Sequence, residues 1–147
     1  MPYIPKKYHY KIIRSGYGGD HLPQLTNSKS PLTEPYALVI ARAEPENNLE
    51  LILKCFSESD SMHLVVIANW FQTRIGKSLK NRYANQGNLS LIGPIFDDPG
   101  KLQSYRLNCS LYIHGHSACG TNPSLVEAMF SGAPVFAFDN EFNRKTT

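Results

Sequence analysis

Cysteine is scarce in this 147-residue chain: Cys55, Cys109 and Cys119 form no CxxC pair and make an odd total. Neither a disulfide scaffold nor a cysteine-rich zinc site is expected, and such usage fits a reducing cytoplasm. No apolar run reaches the ~20 residues that a membrane span requires. The basic opening MPYIPKKYHYKII also lacks the apolar core of a signal peptide. The chain is therefore expected to be cytoplasmic, at most peripheral at the inner membrane. Excess charge of one sign is lacking too: 15 Lys and Arg stand against 12 Asp and Glu, a net +3, too little to imply a nucleic-acid partner. No GxGxxG follows the first apolar run, where ARAEPE stands, and this excludes the dinucleotide fingerprint of redox enzymes. There is no internal repeat. The one biased tract, rich in Ser, Thr, Asn and Pro between Gln24 and Pro35, reads as a linker.

What is present is an alternation of short apolar runs with amphipathic stretches, in a composition 41% hydrophobic that suits one domain. The runs Tyr36–Ala41, His63–Ala68, Asn88–Ile92, Ser110–Ile113 and Pro134–Phe138 read as buried strands. A helix from Glu46 places Leu49, Ile52, Leu53 and Phe56 on one face, and a polar-rich helix is expected from Phe71 to Tyr83. Asp97-Asp98-Pro99 signals the start of a helix running to Asn108 with an apolar side of Leu102, Tyr105 and Leu107. Pro123–Phe130 makes another, ended by Ser131-Gly132. Strand and helix alternate strictly, which predicts an α/β fold with a Rossmann-like, doubly wound parallel sheet. Such sheets bind ligands beyond the carboxyl ends of their strands, here the loops after Ala41, Ile92, Ile113 and Phe138. Those loops hold Arg42, Gly93-Pro94, the run His114 to Asn122, and Asp139-Asn140. Backbone N–H groups from Gly120 to Ser124, at the start of the Pro123 helix, are candidates to face a phosphate. His114 and His116 lack the further ligands of a zinc site, and no metal or other cofactor is expected.

The stretch GHSACGTNPSLVEAMFSGAPVFAF, preceded by YIH and followed by FDN-x-FNR motif residues, is the most informative segment. It resembles the donor-binding signature of retaining glycosyltransferases built from two Rossmann-like domains, the GT-B fold. Within that group it is most similar to bacterial rhamnosyltransferase-like enzymes of polysaccharide (O-antigen or capsule) synthesis. The resemblance covers roughly Tyr36 to Arg144, and Tyr17-Gly-Gly-Asp20 extends it toward the interdomain linker. It implies that residues 1–35 are linker or remnant of an N-terminal acceptor domain, and that 36–147 form a nucleotide-sugar-binding domain truncated at its C-terminus.

The resemblance assigns Glu127 to the ribose or deoxyribose of the nucleotide, for which a carboxylate is a suitable acceptor of a vicinal diol. The alternative is a first-turn glutamate complementing the helix dipole. Arg42 is expected to neutralise the diphosphate leaving group, or else to pair with Glu44 or Glu46 at the surface. Two positions depart from the family pattern. Asn47 stands where a lysine usually supplies a second cation; it can offer a hydrogen bond and no charge. Cys119 replaces a glutamate that contacts the transferred sugar, so sugar contacts are expected from backbone N–H groups of Gly120 and Thr121, with Asn122 and Ser124 in the same loop. Gly93 and Ile95 read either as a nucleobase wall or as an ordinary strand-to-helix turn. No role is derivable for Asp139 to Arg144. Lys6, Lys7, Lys11 and Arg14, interleaved with tyrosines, read as a solvated linker or as a contact to anionic lipid. The implied activity is transfer of a sugar, rhamnose by resemblance, from a UDP- or dTDP-sugar to a saccharide or lipid-linked acceptor. This half alone is expected to bind its donor and scarcely turn over. The competing reading is a non-catalytic nucleotide-binding or regulatory module.

Overall fold

A computed structural model describes residues 5–7, 16–25, 28–59, 61–118 and 120–147. The expectations placed on Lys11, Arg14 and Cys119 fall outside the described residues, as do Thr26 and Asn27 of the linker tract. Five strands form one sheet: β1 (Tyr36–Ile40), β2 (His63–Ile67), β3 (Leu89–Ile92), β4 (Leu111–His114) and β5 (Val135–Ala137). All four pairings are parallel and the order is β3-β2-β1-β4-β5. Parallel neighbours need crossovers, supplied by α1 (Leu49–Ser57), α2 (Arg74–Tyr83), α3 (Pro99–Asn108) and α4 (Pro123–Phe130), and α5 (Glu141–Thr146) follows β5.

The strands are apolar on both faces because both faces are covered. Ala37, Val39, Leu64 and Val66 pack with Leu49 and Leu53 of α1 and Leu79 and Tyr83 of α2. Their strand neighbours Tyr36, Leu38, Val65 and Ile67 point the other way, with Tyr112, toward Tyr105 of α3 and Ala128 of α4. Each fully buried leucine, such as Leu38, Leu53 or Leu64, contributes about 1.5–3 kcal/mol by leaving water. The sheet is thus the doubly wound α/β architecture that the alternation predicts.

Three local expectations need correction. Leu107 is 38% exposed, while Gln103 and Arg106 are buried with Tyr105. The inward stripe of α3 is Leu102, Tyr105 and Cys109, spaced by three and four; Leu107 lies about 200° around the helix from Tyr105. The second helix begins at Arg74 rather than near Phe71, because Thr73 Oγ1 accepts the Gly76 N–H at 2.9 Å. Before it, Trp70 is buried with its indole N–H on the Ile92 carbonyl at 2.7 Å, and Phe71 stays exposed. Finally, α5 was not anticipated; it is a single short segment capped by Asn140, whose Oδ1 accepts the Asn143 N–H at 2.8 Å.

N-terminal to the sheet, Leu22 is buried and Leu32 packs on the α3–α4 face. Among the described residues no helix is long and apolar enough to cross a membrane.

Candidate functional site

At the carboxyl edge, β1 and β4 lie side by side while the chain leaves them toward opposite edges of the sheet, which opens the crevice where such folds bind ligands. A cleft of about 330 Å³ occupies it. Ile40, Ala41 and Arg42 enter from β1, Asn69 and Gln72 from the β2 loop, Pro94, Ile95 and Phe96 from the β3 loop, and Ser124 from the first turn of α4. Its walls are mainly apolar, with few polar groups. Of the residues singled out in the sequence, Arg42, Ile95 and Ser124 meet here. Gly93 lies exposed on the loop just before Pro94, while Asn47, Gly120 to Asn122 and Glu127 do not line the cleft. A larger hollow of about 690 Å³ runs along the outer side of β5, by Val135, Ala137 and Arg144. It contains none of the donor residues that the sequence points to.

Arg42 is 67% exposed, with Nη2 3.2 Å from Glu44 Oε2. An exposed pair of this kind is worth little, so the guanidinium is available to another anion. Asn47, 4% exposed, closes the 3-10 turn Pro45–Asn47. Its Nδ2 donates to the Arg42 carbonyl at 3.0 Å and its Oδ1 meets His116 Nδ1 at 3.0 Å. The amide is engaged within the protein and fixes the backbone of Arg42.

The loop after β4 is held from two sides. Asn48 Nδ2 donates to the Gly115 carbonyl at 2.8 Å, and both the N–H and the hydroxyl of Ser117 donate to the Glu46 carbonyl, at 2.8 and 3.0 Å. Gly115 must be glycine, since a Cβ there would collide with the Asn47 carbonyl and Ile52. From the other side, Asn140 and Asn143 donate their side-chain amides to the His116 carbonyl at 3.1 and 3.0 Å. Asn143 also donates to the Phe138 carbonyl at 2.8 Å and is buried. Here is the role that the sequence did not reveal for Asp139 to Arg144: its two asparagines clamp the glycine-rich loop, while Arg144 pairs with Asp139 at 2.7 Å. Further along, Gly120 has φ +102°, a conformation that favours glycine. Asn122 then caps α4, its Oδ1 accepting the Ser124 N–H at 3.0 Å. That N–H is thus already engaged, so an anion at this end of α4 would meet the earlier amides of the run.

His114 ends β4 at 4% exposure, its ring stacked on Tyr112 with centroids 6.4 Å apart. Among the described residues its Nε2 has no partner. Burial, aided by the neighbouring His116, lowers its pKa to about 4, so the ring is neutral at pH 7.

Glu127 projects from the middle of α4 at 16% exposure. Its Oε2 accepts from Arg106 Nη2, and its Oε1 lies 3.1 Å from His21 Nε2. Arg106 is only 5% exposed; burial pulls its pKa down and the Glu127 carboxylate opposes that. Both carboxylate oxygens therefore have partners within the chain, one of them from the segment before the sheet. Nothing in the sequence announced Arg106 or His21, because neither belongs to a recognisable motif. Among the described residues no three His, Cys, Asp or Glu side chains are placed to hold one metal ion.

No protein-family model matches the chain, and no curated protein matches its sequence. Solved structures do. The pneumococcal O-GlcNAc transferase GtfA, in complex with UDP and GlcNAc, is similar with a TM-score of 0.59 and 18% identity, over 84% of this chain and 24% of that one. The lipopolysaccharide outer core galactosyltransferase WaaB, in its apo form, gives 0.56 and 13% over 82% of this chain and 34% of that one. The UDP-GlcNAc 2-epimerase from Neisseria meningitidis, bound to UDP-GlcNAc, gives 0.53 and 16% over 76% and 30%. The chain spans between a quarter and about a third of the length of these proteins. At such identities what is shared is the fold, the Rossmann-like half of a GT-B architecture, which serves both transferases and an epimerase.

Proposed function

We propose that this chain is the donor-binding domain of a glycosyltransferase and holds a UDP- or dTDP-linked sugar at the carboxyl edge of its sheet. The observation that carries the reading is convergence: Arg42, Ile95 and Ser124, from three separate strand-to-helix connections, meet in one mainly apolar cleft at the switch point. A flat base suits the apolar walls near Pro94 and Ile95. Arg42 is the group for the diphosphate, whose negative charge grows as the glycosidic bond to phosphate breaks, so it stabilises the leaving group more in the transition state than before it. The sugar would lie toward Gly120 and Thr121, and Glu127 would take the ribose hydroxyls once His21 yields its place. By motif resemblance, rhamnose is the sugar proposed for transfer and bacterial surface polysaccharide the setting, with the acceptor bound by a partner domain. No metal or cofactor is required in this scheme.

Titration calorimetry with UDP, dTDP and their sugars tests it. Arg42→Ala is expected to weaken UDP by about 1.5–3 kcal/mol and leave uridine almost unaffected, since the guanidinium contacts phosphate. Equal losses for both ligands would contradict that placement, and tight binding of an unrelated nucleotide with none of these would sink the donor reading. A regulatory nucleotide-binding module is the second reading. Its specific support is that Glu127 already has two partners and that Asn47 offers the phosphate no charge. Binding of UDP that is indifferent to an attached sugar would favour it.

A further inference from the structure

The polar groups of the cleft wall have a fixed polarity. Ala43 N–H donates to Asn69 Oδ1 at 2.7 Å. A backbone N–H can only donate, so the oxygen of Asn69 must face it and Nδ2 must point the other way. That Nδ2 donates to Gln72 Oε1 at 2.8 Å. Presenting the Gln72 nitrogen instead would set two donors against each other, so Oε1 is pinned to Asn69 and the Gln72 amide nitrogen is left over. Gln72 is exposed, lines the same cleft as Pro94, Ile95 and Phe96, and its Nε2 has no acceptor among the described residues. The cleft therefore carries a side-chain group that donates and does not accept, held in that sense by a chain of hydrogen bonds ending on the backbone.

We infer that Gln72, oriented by Asn69, makes the cleft select a pyrimidine with a carbonyl at position 4, uracil or thymine, over cytosine, which carries an amino group there. The chemistry is a single position: uracil and thymine present O4, an acceptor, where cytosine presents an N4 amino donor. An amide N–H satisfies the first and opposes the second. The inference rests on the donor-site reading above and extends it from a nucleotide site to a particular base edge. Gln72 acts on the ligand directly, and Asn69 is a positioning residue acting through it.

The test is the ratio of UDP to CDP affinity, measured by calorimetry on the whole chain; the two ligands share ring size, ribose and diphosphate. Wild type is expected to prefer UDP about tenfold, the effect of one hydrogen bond made against one opposed. Gln72→Glu keeps an acceptor for Asn69 and turns a second acceptor toward the base, so the ratio should fall to one or below, even if the added charge weakens both ligands. Asn69→Asp provides a second arm that leaves Gln72 in place. Its carboxylate still accepts from Ala43 but now demands the Gln72 N–H, which rotates Oε1 into the cleft and should also erase the preference. A wild type indifferent between UDP and CDP, or variants with an unaltered ratio, would overturn the inference while leaving the donor site standing. A wild type that binds neither would overturn both.

Discussion

Removing the Glu127 side chain should cost fold stability before it costs ligand binding. The reason is Arg106, 5% exposed and paired with Glu127 from the neighbouring helix, with its Nε already unpartnered among the described residues. In Glu127→Ala the guanidinium stays buried without its counter-charge. Breaking a buried pair from one side typically costs 3–5 kcal/mol. Glu127 is itself 16% exposed and its other partner, His21, is largely solvated, so the lower end applies, about 3 kcal/mol. That is a large share of the ~5–15 kcal/mol that holds a domain folded. Urea unfolding at pH 7 can be followed through Trp70, the single tryptophan and a fully buried one. The midpoint should fall clearly in Glu127→Ala. Replacing both partners, Arg106→Leu with Glu127→Leu, should recover most of the loss, because an apolar pair has no charge to desolvate. A Glu127→Ala variant within about 1 kcal/mol of wild type would show that the pair is solvated or absent and refute the reasoning. Ligand titrations of this variant must then be made well below its unfolding transition, or lost affinity will be misread as a lost ribose contact.

Asn143→Asp keeps the shape but sets a carboxylate against the carbonyls of His116 and Phe138, so a loss of about 2–3 kcal/mol is expected, with amide chemical-shift changes at Gly115 to Ser117. An unshifted loop would show that the clamp does not hold it. For His114, the folded pKa of about 4 lies below the ordinary 6.5. As pH falls the unfolded chain takes up the proton first, so stability present above pH 6.5 is lost between 6.5 and 4. Between pH 7 and 4.5 this amounts to roughly 2–3 kcal/mol, and the difference between wild type and His114→Phe unfolding should isolate it. Parallel pH dependences for the two proteins would place the imidazole in water.

The fold was legible because it is written in local terms. Tyr36–Ile40 and, within β2, Leu64 to Ile67 are unbroken apolar runs whose two faces both need cover, and Leu49, Ile52 and Leu53 repeat at helical spacing. Where reading failed, tertiary packing outranked the local pattern. Leu107 looked like core and lies outside, since the α3 stripe continues to Cys109, beyond the last helical residue. Helix α5 has an asparagine cap and an acidic first turn, yet six residues give too little periodicity to read. The cleft was half visible: loop positions at the carboxyl edge follow from the strand assignment, so Arg42, Ile95 and Ser124 could be named. Gln72 and Asn69 could not, because their meaning lies in a hydrogen-bond direction fixed by Ala43, 26 residues away.

The remaining part of the site was illegible for a topological reason, and Asn47 shows it. A sheet of order β3-β2-β1-β4-β5 sets the β1 and β4 loops side by side although Asn47 and His116 are 69 residues apart. Because Asn47 Nδ2 faces the Arg42 carbonyl, its Oδ1 must face His116, and His116 Nδ1 must be the donor. A lysine could not do this: an ammonium has no acceptor to offer the imidazole N–H. The asparagine therefore belongs with the His116 that it holds, and His116 with the Asn140 and Asn143 that hold its carbonyl. The Asn47 amide thus joins the β1 and β4 loops and fixes the backbone beneath Arg42, and the His116 carbonyl carries the link on to Asn140 and Asn143. In the donor-site reading the phosphate charge then falls more heavily on Arg42, whose backbone is the one this network holds still.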